Sequence, residues 1–174
     1  EKFDFSRFKT IVDVGGGQGV LLTTILEANP GVLGILFDVP AAIREARLAF
    51  EATALAARCR LAEGSFFESV PADGDAYILS RVLHDWNDGE VSKILRTMRR
   101  SMSDGATLLI VERALDPENL TPEVTLSDLN MLVQNGGRER TTEEFEALLA
   151  AGAFKLVRSI PEPPPFQILE AVAA

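Results

Sequence analysis

The chain has 174 residues, 47% hydrophobic and 25% charged, which suits one globular domain with a sizeable core. A formal net charge of −9, a densest basic cluster of only Arg96, Arg99 and Arg100, and no apolar run near the ~20 residues of a membrane span argue against nucleic-acid and membrane partners. A single cysteine, Cys59, excludes an internal disulfide and fits a reducing, cytoplasmic setting; no signal peptide opens the chain, and its first residue, Glu1 rather than Met, reads as part of a longer polypeptide.

The β-branched run Thr10–Val14 predicts a buried strand. A glycine cluster, Gly15–Gly19, follows it, and Val20–Ala28 has helical character up to the breaker Asn29-Pro30-Gly31. Leu33–Asp38 is the next strand. Pro40 then opens a helix expected to run Ala41–Ala57, because proline is tolerated where its missing N–H would be unpaired anyway. Arg60–Glu63 and Ala76–Ser80 read as strands. Glu90–Met102 is an amphipathic helix with Val91, Ile94, Leu95 and Met98 on one face, stopped by Ser103-Asp104-Gly105.

Thr107–Arg113 is the most strand-like run of the chain. Leu126–Val133 predicts a helix closed by Asn135-Gly136-Gly137. Thr141 with Glu144 forms a capping box for the helix Glu143–Ala150, which Gly152 ends. Phe154–Ile160 and Phe166–Val172 are a final strand pair joined by the stiff link Pro161–Pro165. Strands separated by helices imply an α/β, doubly wound sheet of about seven strands, mostly parallel, with an antiparallel edge strand where no helix intervenes. The sequence contains no internal repeat.

Ligands of such sheets bind outside the carboxyl ends of the strands, where the glycine cluster stands. A dinucleotide fingerprint needs a third glycine at Val20. Here Gly15, Gly17 and Gly19 alternate instead, and Asp13 just upstream would repel a pyrophosphate. That carboxylate suits a ligand carrying an ammonium and a sulfonium, namely S-adenosylmethionine. Asp38, about 20 residues on, ends the second strand where a carboxylate accepts bonds from ribose hydroxyls. A tight turn without a ligand is the bland alternative, and four glycines in five residues weigh against it.

His84, the only histidine, lies just past the fourth strand in Ser80-Arg81-Val82-Leu83-His84-Asp85-Trp86. An imidazole there is a competent base at neutral pH, and methylation of a hydroxyl needs one because a neutral phenol is a poor nucleophile. The alternative is a packing or capping histidine. Glu112 and Glu139 fall near the same rim, where a carboxylate would hold one ring tautomer and steady the imidazolium. For Glu139 a surface ion pair with Arg138 or Arg140 is the competing expectation. No metal-ligand spacing is present, so no metal is expected.

The segments Val12-Asp13-Val14-Gly15-Gly16-Gly17, Phe37-Asp38-Val39-Pro40, Gly64-Ser65-Phe66-Phe67, Val82-Leu83-His84-Asp85-Trp86 and Gly136-Gly137-Arg138-Glu139-Arg140-Thr141 resemble the plant caffeate and acetylserotonin type O-methyltransferase family and its bacterial aromatic-polyketide relatives. The resemblance runs from about Phe5 to the end. It implies a Rossmann-like methyltransferase sheet, methyl transfer from S-adenosylmethionine to a small aromatic hydroxyl compound with release of S-adenosylhomocysteine, and His84 as base flanked by Glu112 and Glu139. It further implies that Gly15 and Gly17 approach the methionine part of the cofactor, Asp38 and Val39 the ribose, and Ser65 and Phe66 the adenine. Trp86 would wall the site, and Met131 and Asp85 would face the acceptor. The family usually has Asp at Ser65, and many plant members have Lys at Ser80, for which Arg81 is the substitute expected here. It also carries an N-terminal helical domain that makes a homodimer and closes the acceptor pocket; this is expected to lie outside residues 1–174. Competing readings are a relative that binds the cofactor without giving up its methyl, as in hydroxylase- or decarboxylase-like cases, a non-catalytic binding module, and, more distantly, a nicotinamide oxidoreductase.

Overall fold

The site sits where the strand order of a seven-stranded sheet reverses. The computed structural model describes residues 3–50, 53–113, 115–116, 121–161 and 166–174. Strands β1 (Thr10–Val14), β2 (Leu33–Asp38), β3 (Cys59–Glu63), β4 (Ala76–Ser80), β5 (Thr107–Arg113), β6 (Phe154–Pro161) and β7 (Phe166–Ala173) lie in the order β3-β2-β1-β4-β5-β7-β6. Pairings from β3 through β5 are all parallel. Beyond β5, β7 runs antiparallel to both β5 and β6, at the edge where the sequence lacks an intervening helix. This bears out the doubly wound fold. The expected link Pro161–Pro165 lies mostly outside the described residues; Pro161 itself is the last residue of β6.

Alternation along the strands divides the core. Val12, Tyr77, Leu79, Leu108 and Ile110 face helices α3 (Asp88–Ser101) and α5 (Thr142–Ala151). Ile11, Ile78 and Leu109 face the other way, toward α1 (Val20–Ala28) and α2 (Pro40–Phe50). The near-continuous apolar runs of β1 and β4 follow from burial on both faces. Among the described residues no helix is long and apolar enough to cross a membrane.

Two helices differ from their sequence expectation. Of the single helix expected over Ala41–Ala57, the described helix α2 covers Pro40–Phe50, and Ala54–Ala57 is a separate 3₁₀ turn. Thr53 is the reason: its backbone is extended, its hydroxyl donates to the Phe50 carbonyl, and it accepts from Leu55 N–H, which starts a new turn. Helix α4 (Pro122–Asn135) begins before the expected Leu126, because Thr121 caps it and Pro122 supplies a preset first residue. The capping boxes Asn87/Glu90 on α3 and Thr141/Glu144 on α5 are both formed.

Candidate active site

The chain crosses back from β3 to place β4 beside β1, so the loops after these two strands flank one crevice. On the β1 side, Gly15, Gly17 and Gly19 have φ of 71°, 57° and 77°. Gly17 has open space where a side chain would project, and its N–H donates to Asp38 Oδ2 at 2.8 Å. Asp38 Oδ1 accepts from the N–H of exposed Val39 at 2.7 Å. One carboxylate therefore ties the glycine loop to the end of β2 and keeps acceptor capacity toward the crevice.

Asp13 lies beneath this loop rather than in the open crevice. It is 1% exposed, and a Cβ on Gly16 would come within 2.5 Å of its Oδ2. Neither carboxylate oxygen meets a partner in hydrogen-bond geometry among the described residues. Burial pushes its pKa up to about 7, the Asp38 carboxylate adding to the effect and the nearby Leu22 N–H offsetting part of it.

The turn after β3 begins at Ser65, whose hydroxyl accepts from Phe67 N–H at 3.3 Å. Phe66 packs against the Gly15 backbone position and, with Phe67, edge-on to half-buried Trp86, at ring separations of 6.0 and 4.8 Å. These aromatics join the turns after β3 and β4 into one wall. Ser80 ends β4 half-buried, and exposed Arg81 takes a left-handed φ of 55° with its N–H bonded to the Val111 carbonyl. That reversal turns the chain into the 3₁₀ turn Leu83–Asp85, which carries His84.

His84 is 5% exposed. Its Nδ1 stands 3.1 Å from Glu112 Oε2 and 4.0 Å from Glu139 Oε2, and its Nε2 is 3.5 Å from Asp85 Oδ1. The Nδ1–Glu112 contact is short, and it becomes an ion pair when the ring is protonated. Burial lowers the imidazole pKa, but Glu112, Asp85 and Glu139 outweigh it and hold the pKa above its ordinary value. Glu112 is fully buried, and its Oε1 accepts from Val82 N–H at 3.0 Å and Leu83 N–H at 2.8 Å. The same side chain thus fixes the turn and faces the ring it carries.

Glu139 is buried, accepts from Ser127 Oγ at 2.8 Å, and pairs with neither Arg138 nor Arg140, so the surface ion pair weighed from sequence does not form. Arg138 goes to Glu144 and Asp88. Arg140 is fully buried and donates to the Leu83 and Trp86 carbonyls at 2.8 and 2.6 Å and to Asp88 Oδ1. Gly137 lies so close to the turn that a Cβ would come 2.0 Å from the His84 carbonyl oxygen. Asp85 accepts from Asn135 at the end of α4.

His84, Glu112, Glu139 and Asp85 are thus brought together, and Gly15, Gly17, Asp38 and Val39 form a second group across the crevice. Arg140 and Gly137 had no role assigned from sequence. Their position in the specific Gly-Gly-Arg-Glu-Arg-Thr element was the available signal. The fold also assembles a donor trio that spacing did not reveal: His84, Glu112 and Glu139 offer atoms within 4.8 Å of one another, near enough for a cation. Along α4 runs a cleft of about 680 Å³ lined by Arg113, Leu126, Leu129, Asn130 and Val133; half-buried Met131 is outside its lining.

Comparison with known proteins bears on this arrangement. The chain is 43% identical to the O-demethylpuromycin-O-methyltransferase of Streptomyces alboniger, over 98% of the chain and 47% of that protein. It is 41% identical to bovine acetylserotonin O-methyltransferase, over 90% of the chain and 45% of the relative. A solved O-methyltransferase from neocarzinostatin biosynthesis, in complex with S-adenosylmethionine and 2-hydroxy-5-methyl naphthoic acid, superimposes with a TM-score of 0.91 at 32% identity, over 99% of this chain and 51% of that one. The chain spans about half the length of the curated relatives it matches. Residues 1–155 match the O-methyltransferase domain, and the chain belongs to that family.

Proposed function

We propose that the chain is the S-adenosylmethionine-binding catalytic portion of an enzyme that methylates a hydroxyl oxygen on a small aromatic molecule, with His84 as general base. The observation that carries this reading is His84 held against Glu112 on a clamped turn facing the glycine loop. The residues fit the cofactor. The unpartnered buried carboxylate of Asp13 lies under the loop, Gly17 leaves open space, and Asp38 keeps acceptor capacity for two hydroxyls.

S-adenosylmethionine, when bound, supplies a methyl group on a positively charged sulfur. Phe66 and Trp86 offer apolar faces for the adenine. Glu112 beside Nδ1 favours the tautomer protonated there, which leaves Nε2 to take the acceptor's hydroxyl proton. Glu112, Glu139 and Asp85 then stabilise the imidazolium. The exposed Leu126, Leu129, Leu132 and Val133 of α4 suit an aromatic acceptor, and the naphthoic acid held by the neocarzinostatin relative is of that class. The reading uses no metal: the trio serves as base and flanking carboxylates. In the whole protein a further domain closes this face and makes a homodimer of cytoplasmic location.

The test is transfer of labelled methyl from S-adenosylmethionine to phenols, catechols and hydroxynaphthoic acids by the intact protein. His84→Ala should lower transfer by about 10²-fold or more. Chelator should leave the rate unchanged. Cofactor binding without transfer to any acceptor would overturn the methyltransferase reading in favour of a non-methylating one.

A further inference from the structure

We propose that Arg113 binds a carboxylate on the aromatic acceptor, so that the enzyme selects hydroxyaryl acids over the corresponding neutral phenols. The inference deepens the methyltransferase reading and rests on it.

Arg113 follows Glu112 on β5, so the two side chains leave opposite faces of the strand. Glu112 turns to His84. Arg113 pairs in register with Phe166 of β7 and lies over its ring at 5.5 Å. Only 25% of the Arg113 side chain is exposed, yet it donates no hydrogen bond among the described residues. The other arginines that are at least partly buried, Arg58, Arg99, Arg138 and Arg140, all donate. Among the described residues the nearest carboxylate oxygen to Arg113 is Glu139 Oε1, 4.0 Å from Nε, and Ser127 already donates to it. A guanidinium whose fork donates to nothing among the described residues, removed from most of the solvent, is matched in geometry to a bidentate carboxylate.

Its surroundings fit an aromatic acid. The guanidinium lines the cleft along α4, whose apolar side chains Leu126, Leu129 and Val133 would bed a ring. Arg113 and His84 approach the two oxygens of Glu139, each at 4.0 Å. The cation and the proposed base therefore flank one carboxylate. Glu123 is the other charged residue lining the cleft. Its own backbone N–H and the Thr121 hydroxyl at the start of α4 lower its pKa.

The probes are 3-hydroxy-2-naphthoic acid and 2-naphthol, which differ only in the carboxylate. Their fluorescence reports binding to the intact protein in the presence of S-adenosylhomocysteine, with R113Q and R113K in parallel. The wild type should bind the acid about 10-fold or more tightly than the naphthol. R113Q should lose that preference through the acid alone, and R113K should recover part of it. Equal affinity for the two compounds in the wild type, equal absence of binding included, overturns the proposal. So does an acid preference that survives in R113Q. If both compounds bind with the expected pattern but neither is methylated, the acid site stands and the methyltransferase reading fails. If 2-naphthol is methylated and the acid shows no advantage, the reverse holds.

Discussion

The two sides of the crevice are made of different material. Around Gly15–Gly19 and Asp38 the polar groups are mainly backbone N–H, and the buried carboxyl, Asp13, meets no partner in hydrogen-bond geometry among the described residues. Around His84 they are buried side chains that brace the backbone and the ring: Glu112 on the Val82 and Leu83 N–H groups, Glu139 beside His84, and Arg140 on the Leu83 and Trp86 carbonyls and on exposed Asp88 at the helix start. The first side can accept a ligand by backbone shape with little rearrangement. The second is a cross-braced mount, and removing one member leaves buried backbone donors or acceptors without partners.

The largest expected effect should come from Glu112→Gln, which keeps shape while removing the charge that faces His84. Methyl transfer should fall about 10³-fold, because the amide no longer enforces one imidazole tautomer. Cofactor affinity measured by calorimetry should stay at the wild-type value; a parallel loss would show that the two sides are not separable. His84 has its pKa held above the usual value, so activity needing the neutral ring rises with pH through that elevated pKa, and the rising limb should move to lower pH in the mutant.

Next in size is Arg140→Met. It leaves the Leu83 and Trp86 carbonyls without their donor and removes the partner of exposed Asp88, and denaturant unfolding should show a loss of about 2–4 kcal/mol. A loss within 1 kcal/mol of zero would mean the clamp is not structural. Asp38→Asn should act on the other side alone. It should weaken S-adenosylmethionine binding by about 10-fold while leaving the rate at saturating cofactor near wild type.

Asp13→Asn is smaller and opposite in sign. The unfolded chain titrates Asp13 at the ordinary carboxylate value and the folded chain at about 7. Between these values the folded state binds more protons, so stability falls as pH rises through the window. The substitution should therefore stabilise the ligand-free protein by about 2 kcal/mol at pH 8 and by less at pH 5, read from melting curves. An equal gain at both pH values would count against a buried, titrating Asp13. Smallest is Ser65→Asp, which restores the residue usual in the family and should tighten cofactor binding a few-fold.

The same contrast explains what could be read from sequence. Strand ends at Thr10–Val14, Leu33–Asp38, Ala76–Ser80 and Thr107–Arg113 coincide with expectation, because fully buried strands must be apolar runs bounded by polar turns. The glycine loop was legible because backbone sites need glycines in a short window. His84 stood out as a lone histidine past a strand. The role of Arg140 was not legible, because its partners are set by tertiary packing. The helix break at Thr53 was hidden for a different reason: the Ala-rich stretch around it has high helix propensity, and one side-chain-to-backbone competition overrode it.

Sequence distance gives the clamp a temporal meaning. Asp38 meets Gly17 across 21 residues, whereas Arg140 reaches the Leu83 carbonyl across 57. During synthesis the first contact is available as soon as β2 emerges, while the second must wait until the segment after α4 has left the ribosome. A nascent chain can therefore close the glycine loop before the segment that braces the His84 turn has emerged.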